Sequence, residues 1–200
     1  MSMDIEFYFD FSSPYGYLAS CQIDDLALRY GRGVSWRPMM LGIAMKQTGS
    51  QPLVHIPLKG DYSRHDLART ARQLDIPFVI PEQFPIMALA ASRAFYWIND
   101  EDHERSSNFA KAAFRSFFGE GRDISQPAAI ADIAEPLGVD REALLRAITD
   151  PVVKGRLKTE TDTAVERGVF GSPFIFVDGE PFWGADRISD VGRWLETGGW

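Results

Sequence analysis

We predict an α/β fold for this chain of 200 residues: a four-stranded mixed sheet with a large helical insertion. Three observations predict it. A strand–helix–strand pattern lies near the N-terminus, helical periodicity dominates the middle of the chain, and a β-hairpin followed by a helix lies near the C-terminus. Because both ends carry strands, we expect them to build one sheet, with the helical block inserted between them.

The first part of the chain has the pattern of a β-α-β unit. Apolar and polar residues alternate over residues 4–10, which is typical of a strand with one buried face. Ser13 followed by Pro14 marks the start of a helix that is expected to extend to about Tyr30. Val34–Pro38 is expected to be the second strand. The helical crossover predicts that the two strands are parallel.

The middle of the chain predicts helices. Residues 42–58 contain several glycines and prolines and are expected to be irregular. Beyond them, apolar residues repeat every three or four positions, the pattern of helices that bury one face. We assign most of these apolar positions to packing rather than to ligand binding. The expected helices cover about residues 61–74, 85–98, 104–118, 125–137, 141–148 and 151–167.

The C-terminal part returns to strands. Residues 174–177 form an apolar strand, the Asp-Gly pair at 178–179 is the turn of a hairpin, and residues 182–183 lie on the returning strand. A last helix is expected over about residues 186–195. We therefore predict a sheet-forming domain over residues 1–41 and 152–200, and an inserted helical domain over residues 42–151.

Composition narrows the possible partners. A net charge of −7 and an isoelectric point near 5.0 argue against a nucleic-acid groove and against binding to an anionic membrane surface. No run of about 18 apolar residues is present, so no membrane span is expected. The first residues, MSMDIEFYFDF, lack a basic segment followed by an apolar one, so we expect no secretory signal.

The small number and the spacing of the cysteine and histidine residues exclude several kinds of chemistry. Cys21 is the one cysteine of the chain, which excludes an internal disulfide, a CxxC redox motif and a cysteine-based zinc site. His55, His65 and His103 lack the spacing of metal ligands, so no metal is expected. A chain without disulfides is typical of the reducing cytoplasm, the location that we predict.

Four short segments could carry chemistry, and each has a simpler structural explanation. Ser13 stands where a strand ends and a helix begins, a place that stabilises an anion such as a thiolate, but it could merely cap the helix. Ser172 precedes Pro173, and a cis bond there would leave the Ser172 backbone open to a peptide-like ligand. Asp186 could bind an ammonium group or cap the last helix. Lys59 precedes a helix, where most lysines are simply solvated.

Three stretches resemble one known family. They are FYFDFSSPYGYLA at residues 7–19, PLKGDY at residues 57–62, and GVFGSPFIFVDGEPFWGADR at residues 168–187. Together they are similar to the 2-hydroxychromene-2-carboxylate isomerases, which belong with the kappa-class glutathione transferases to the DsbA-like branch of the thioredoxin superfamily. The resemblance covers nearly the whole chain. It implies a thioredoxin-like fold of the DsbA and kappa-class type, interrupted by a helical domain.

The resemblance also implies a function. DsbA-like oxidoreductases open the first helix with C-P-x-C, whereas residues 13–16 here read Ser-Pro-Tyr-Gly, so the redox pair is absent. A glutathione thiolate could then take the place of a protein thiolate. By resemblance, it adds to a conjugated aromatic substrate, a bond rotates, and elimination gives the trans alkene. The reaction implied is the interconversion of 2-hydroxychromene-2-carboxylate and trans-o-hydroxybenzylidenepyruvate, or of a related intermediate of aromatic degradation.

The resemblance further implies site residues and partners. Ser13 is the implied catalytic residue. The implied partners are glutathione as cofactor, a small aromatic substrate and, as is common in the family, a second copy of the chain in a homodimer. The implied glutathione-binding residues are Ser13, Lys59, Ser172, Pro173, Ala185 and Asp186.

Two positions depart from the kappa-class pattern, and two other functions fit the same residues. Ser50 stands where those enzymes have an asparagine, and Ala185 stands where they have a serine, so a backbone contact at 185 would survive but a hydroxyl contact would not. The first alternative function is a kappa-class-type glutathione transferase or peroxidase. The second is a thioredoxin-fold binding module without catalysis. Disulfide exchange is excluded because Cys21 lies outside residues 13–16.

Overall fold

Four strands form one mixed sheet in the computed structural model, which describes residues 4–200. They are β1 (Ile5–Phe9), β2 (Val34–Pro38), β3 (Phe174–Val177) and β4 (Glu180–Trp183), and their order is β2-β1-β3-β4. Strand β1 pairs in parallel with β2 and antiparallel with β3, and β3 pairs antiparallel with β4. The predicted mixed sheet is confirmed, including its parallel N-terminal pair and its C-terminal hairpin.

Helices occupy most of the chain between the two pairs of strands, as predicted. The division into domains at residues 42 and 151 stays a prediction. Short 3-10 or π-helical turns lie at Leu53–His55, Arg115–Gly119, Glu135–Leu137 and Ala185–Arg187. The α-helices are α1 (Pro14–Ser20), α2 (Ile23–Arg29), α3 (Leu41–Thr48), α4 (Lys59–Gln73), α5 (Leu89–Asn99), α6 (His103–Phe114), α7 (Pro127–Ala134), α8 (Arg141–Thr149), α9 (Pro151–Glu166) and α10 (Ile188–Thr197).

The prediction of one continuous helix from Pro14 to about Tyr30 is wrong, because α1 and α2 are separate. At the break, the Gln22 N–H donates to the Ala19 carbonyl at 2.9 Å instead of continuing the α-helical pattern to Leu18, and two side chains bond to carbonyls of the last turn. The Ser20 hydroxyl donates to the Tyr17 carbonyl at 2.7 Å, and the Gln22 side-chain amide donates to the Leu18 carbonyl at 2.9 Å. With these carbonyls already engaged, α1 ends at Ser20.

The prediction that residues 42–58 are irregular is also wrong in part, because α3 begins at Leu41. The N-terminus of α3 is stabilised from outside its own sequence. Oδ2 of Asp10 accepts the Leu41 N–H at 2.8 Å, which satisfies one of the free donors of the first turn. Asp10 lies 31 positions earlier in the chain, so local sequence patterns do not reveal this cap.

Aromatic side chains join the sheet to the helical insertion. Phe9 of β1 packs against Phe95 of α5 and Phe114 of α6, with ring centroids 6.1 and 5.4 Å apart. Phe11, just beyond β1, also packs against Phe114, at 5.1 Å. All four side chains are completely buried. This packing fixes the C-terminal end of β1, from which the chain passes directly into Ser13 and α1.

Two of the predictions concern the chain ends and membranes. Within residues 4–200, none of the helices combines the length and apolarity needed to cross a bilayer. The prediction about a leader segment rests partly on residues 1–3. These three residues, which also begin the predicted domain over residues 1–41, lie outside the residues that the structure describes.

Candidate active site

Ser13 lies at the junction between β1 and α1. It has an extended backbone and caps α1, because its Oγ accepts the Gly16 N–H at 3.0 Å. The same hydroxyl donates to the carbonyl of Ser172 at 2.8 Å. The backbone N–H of Ser13 donates to the Asp10 carbonyl at 2.9 Å. The structural explanation of Ser13 as a cap is therefore correct, and the cap also brings its hydroxyl to the Ser172 loop.

Ser172 and Pro173 form the second side of this junction. The peptide bond between them is cis, as the resemblance implied. The Ser172 side chain is fixed because its Oγ accepts the Asp10 N–H at 2.9 Å. Within residues 4–200, the backbone N–H of Ser172 has no hydrogen-bond partner. The loop therefore offers one free amide donor and one carbonyl that is shared with Ser13.

Asp10 is the site residue that the sequence analysis missed. Its carboxylate accepts three hydrogen bonds, each of 2.8 Å: Oδ1 accepts the N–H and the hydroxyl of Ser12, and Oδ2 accepts the Leu41 N–H. Burial raises the pKa of this carboxyl, and the bonds from Ser12 and Leu41 partly offset that effect. Asp10 thus holds Ser13, Ser172 and α3 in fixed relative positions. An acidic residue directly after a buried aromatic strand is the signal that could have indicated this role.

Asp186 and helix α4 both approach the start of α1 near Tyr15. The turn Ala185–Arg187 and helix α4 both contact α1. Burial, with the nearby Asp66, Tyr62 and Asp186, raises the pKa of Tyr15 to about 12. Asp186 itself is exposed and pairs with Arg187 at 3.6 Å. The structure therefore brings Ser13, Ser172, Pro173, Ala185 and Asp186 to one region around the start of α1.

Lys59 lies on α4, the helix that contacts α1. It is the first residue of that helix and is exposed. Residues 59, 62 and 66 are spaced by three and four positions, so Lys59 shares a helix face with Tyr62 and Asp66. Tyr62 and Asp66 lie near Tyr15 of α1 and contribute to its raised pKa. Lys59 lies about one turn before Tyr62 on this face of α4.

The glycine of the PLKGDY segment has a structural role. An added Cβ at Gly60 would lie 2.9 Å from the carbonyl oxygen of Val54. The start of α4 can therefore pack closely on the Leu53–His55 turn only without a side chain at this position. This packing fixes the position of Lys59, which is the preceding residue.

Gly16 is equally restricted, and it stands where DsbA-like oxidoreductases have their second cysteine. An added Cβ would lie 3.0 Å from Oγ of Ser172, 3.2 Å from Cβ of Ser13 and 3.4 Å from Oγ of Ser13. A side chain here would push the two serines apart. The packing around residue 16 therefore favours glycine over a residue with a side chain, such as cysteine.

Gly16→Ala is expected to lower the free energy of unfolding by about 1–2 kcal/mol, because the methyl group overpacks the contact between Ser13 and Ser172. Gly155→Ala is the matched control. Gly155 lies inside α9 with no atom within 4 Å of an added Cβ, so its replacement should raise stability by about 0.5–1 kcal/mol. Urea unfolding of both variants measures the two effects. Equal stabilisation by both changes would contradict the close packing at Gly16.

An exposed aromatic pair lies beside the Ser172 loop. Trp183 is 57% exposed, and its ring centroid lies 4.8 Å from that of Phe170. The indole packs directly over Gly171, where an added Cβ would collide with it. The pair therefore presents a fixed aromatic surface next to Ser172.

A cavity of about 330 Å³ lies at the opposite end of α1, lined in part by Tyr17, Cys21, Asp24, Lys111 and Arg115, and none of the predicted site residues lines it. At the junction itself, Ser13 and Ser172 are only 5% and 9% exposed. For the part of the chain that the structure covers, no group of three or more His, Cys, Asp or Glu side chains could hold a metal ion.

Comparison with known proteins agrees with this fold. The model of the DsbA-like thioredoxin domain family matches residues 4–195. The 2-hydroxychromene-2-carboxylate isomerase of Sphingobium xenophagum is 31% identical over 198 residues, which cover 98% of this chain and 99% of that protein. Human glutathione S-transferase kappa 1 is 30% identical, over 92% of this chain and 87% of that protein. A solved structure of a 2-hydroxychromene-2-carboxylate isomerase superposes with a TM-score of 0.87 at 29% identity, covering 98% of each chain.

Fold and site together define a thioredoxin-like protein of the DsbA type without the redox cysteines. The chain belongs to the DsbA-like thioredoxin family and, within it, to the group of the 2-hydroxychromene-2-carboxylate isomerases and the kappa-class glutathione transferases. The predicted fold class and the family resemblance are thereby confirmed.

Proposed function

We propose that this protein is a glutathione-dependent isomerase that interconverts 2-hydroxychromene-2-carboxylate and trans-o-hydroxybenzylidenepyruvate, or a related conjugated intermediate of aromatic degradation. The observation that carries the proposal is the hydroxyl of Ser13, which stands at the first cysteine position of DsbA-like oxidoreductases and faces the Ser172 loop. Relatives of about 31% identity over nearly the whole chain carry the name of this isomerase.

The polar groups around Ser13 fit a thiol that is carried on a peptide. The free N–H and the carbonyl of Ser172 suit the backbone of a cysteinyl residue, beside the cis Pro173. The exposed carboxylate of Asp186, next to the backbone of Ala185, suits the ammonium group of a γ-glutamyl end. The ammonium of Lys59, on the rim formed by α4, suits the glycyl carboxylate. These are the six residues that we propose for glutathione binding.

Ser13 is the residue to which we assign catalysis. Its hydroxyl donates to the sulfur and favours the ionised thiol, because a hydrogen bond to the charged form lowers the pKa. When bound, glutathione supplies a nucleophilic sulfur that adds reversibly to a conjugated double bond, so the reaction needs no oxidant and consumes no thiol. The exposed pair Phe170 and Trp183 offers an aromatic substrate a surface close to Ser172.

An absorbance assay tests the proposal directly. The chromene carboxylate and the trans benzylidenepyruvate are each incubated with the protein, with and without glutathione. We expect both starting compounds to reach the same equilibrium mixture only when glutathione is present, with the amount of glutathione unchanged. A flat trace in the presence of bound glutathione would overturn this choice of substrate.

A kappa-class-type transferase is the second candidate, favoured by the 30% identity with human glutathione S-transferase kappa 1. The same site would serve it, but the product would retain the glutathionyl group. Mass spectrometry of the reaction mixture separates the two functions, since a stable adduct supports the transferase. A protein that fails to bind millimolar glutathione would instead fit the non-catalytic binding module.

We also propose a homodimer in the cytoplasm. Glutathione keeps thiols reduced in the cytosol, which suits a protein that depends on it and has no disulfide. Light scattering at several protein concentrations measures the oligomeric state, and cell fractionation measures the location.

A further inference from the structure

One face of α4 carries a row of polar side chains beside the start of α1. Four residues spaced by three or four positions form this polar row: Lys59, Tyr62, Asp66 and Arg69. The middle two lie near Tyr15, which belongs to the first turn of α1. The polar row therefore lies beside the turn that is capped by the proposed catalytic serine.

The phenol of Tyr62 is held by its neighbours in the polar row but keeps a free proton. Nη2 of Arg69 donates to the Tyr62 hydroxyl oxygen at 3.3 Å, and the same guanidinium pairs with the carboxylate of Asp66. Among the hydrogen bonds of residues 4–200, the Tyr62 hydroxyl donates to no acceptor. Tyr62 is 62% exposed, so its proton is available to a ligand.

The second phenol of this region, Tyr15, is less suited to donate to a ligand. It is half-buried, and burial followed by the nearby carboxylate of Asp66 raises its pKa to about 12. Its proton turns towards that carboxylate, because a charged acceptor binds a donor more strongly than a neutral carbonyl does. Tyr62 instead stands beside a cation, and the hydrogen bond from Arg69 polarises its O–H group towards a further acceptor.

We propose that Tyr62 is a second catalytic residue, whose phenol donates a hydrogen bond to the carbonyl oxygen of a conjugated substrate while the glutathione sulfur adds to the far end of the double bond. A carbon–sulfur bond forms, the alkene becomes a single bond, and the carbonyl becomes an enolate that carries the charge of the former thiolate. Tyr62 keeps its proton throughout. After rotation about the single bond, elimination reverses each change, so no proton, electron or thiol is consumed.

The charges of the polar row suit an oxygen that becomes negative during the reaction. Two cations, Lys59 and Arg69, stand against one carboxylate, that of Asp66, so the net charge of the row is positive. A donor that is already in place where charge develops stabilises the transition state more than the substrate, which raises the rate. Asp66 and Arg69 act as positioning residues, because they hold the phenol from behind. The inference rests on the proposed function, since it concerns the same addition of glutathione.

The test compares Tyr62→Phe with the wild-type protein on two electrophiles at saturating glutathione. Benzylideneacetone is a conjugated ketone, so its carbonyl oxygen gains charge when the sulfur adds. Benzyl chloride carries the same ring, but the sulfur displaces chloride and no oxygen gains charge. We expect Tyr62→Phe to slow the ketone reaction about 10²-fold, the usual loss for one donor to a developing oxyanion, and to change the chloride reaction by less than about twofold.

Two further measurements accompany the rates, which are followed by mass spectrometry of the glutathione adducts. Calorimetric titration with glutathione should give the same Kd for Tyr62→Phe and the wild type, because the phenol contacts the substrate and not the thiol peptide. Tyr30→Phe is the matched control. Tyr30 is an exposed tyrosine at the C-terminal end of α2, outside the polar row, and its replacement should leave both rates unchanged.

The outcomes separate this inference from the proposed function. Equal slowing of both reactions, or an unchanged ketone reaction, would overturn the role of Tyr62 even if the protein isomerises the chromene carboxylate. Selective slowing of the ketone reaction supports that role even if the chromene carboxylate proves to be the wrong substrate. A wild-type protein that accelerates neither reaction overturns both the inference and the proposed glutathione chemistry.

Discussion

Ser13→Ala is expected to lower isomerase turnover by about 10²-fold or more, the usual loss when one positioned donor to a reacting anion is removed. The hydroxyl lies at the start of α1 and donates to the Ser172 carbonyl at 2.8 Å. The effect should fall on turnover and on the thiol pKa more than on binding of the peptide ends, which we propose to depend on Lys59 and Asp186. Steady-state rates at saturating glutathione measure it.

The structural role of Ser13 as a helix cap has to be separated from catalysis. Loss of the cap costs about 1 kcal/mol in Ser13→Ala but only a few tenths in Ser13→Gly. If the hydroxyl acts on the sulfur, both variants should lose the same activity despite their different stabilities. Full activity in Ser13→Gly would show that Ser13 is only a cap.

Asp10→Ala is expected to lower the free energy of unfolding by about 2–4 kcal/mol, because it leaves the buried Leu41 N–H and the donors of Ser12 without their acceptor. The same change releases the loop between β1 and α1, so binding of glutathione should weaken as well. Urea unfolding monitored by tryptophan fluorescence measures the stability.

Asp140→Ala is the control for the loss of a capping carboxylate. Asp140 caps α8 at an exposed position by accepting the Ala143 N–H at 2.7 Å, and its replacement should cost about 1 kcal/mol. A similar small loss for Asp10→Ala would contradict the central role of Asp10.

Asp10 should also make the free energy of unfolding decrease as pH rises, because burial raises the pKa of its carboxyl. Burial raises the pKa of its carboxyl above the ordinary value of 3.8, so over the range between the two values the native protein holds a proton that the unfolded chain has lost. Stability then falls as pH rises through this range, opposite to the effect of Glu6, whose pKa is lowered chiefly by its hydrogen bond with Arg167. Asp10→Asn removes the titrating group. The stability of the wild type relative to this variant should therefore decrease from about pH 4 upwards.

Local patterns were sufficient for the strands and most helices. The alternation over residues 4–10, the Ser13-Pro14 helix start and the Asp-Gly hairpin each depend on neighbours in sequence, and each was confirmed. The family resemblance assigned Ser13 and Ser172 to one glutathione site, and the structure joins these residues, 159 positions apart, by a hydrogen bond.

The missed features depend on distant contacts. Helix α3 requires a cap from Asp10, and the role of Asp10 itself depends on the Leu41 N–H and on the Ser172 hydroxyl, which only the folded chain brings to it. At the break after α1, the side chains of Ser20 and Gln22 bond to nearby carbonyls. The spacing of apolar residues does not reveal such bonds, so the break could not be predicted from it. The restriction at Gly16 is likewise set by Ser172, from the other end of the chain.

The lack of a cysteine at residues 13–16 has a consequence for oxidative damage. A catalytic cysteine in such a place can be oxidised irreversibly to a sulfinic or sulfonic acid, which inactivates the whole protein molecule. Cys21 reaches the solvent at the far end of α1, but desolvation around its sulfur raises the pKa of the thiol and keeps it a poor nucleophile. In the proposed reaction the thiol is diffusible, so an oxidant would destroy one replaceable small molecule and leave Ser13 intact. A catalyst of that kind recovers as soon as reduced thiol returns, without repair or new synthesis.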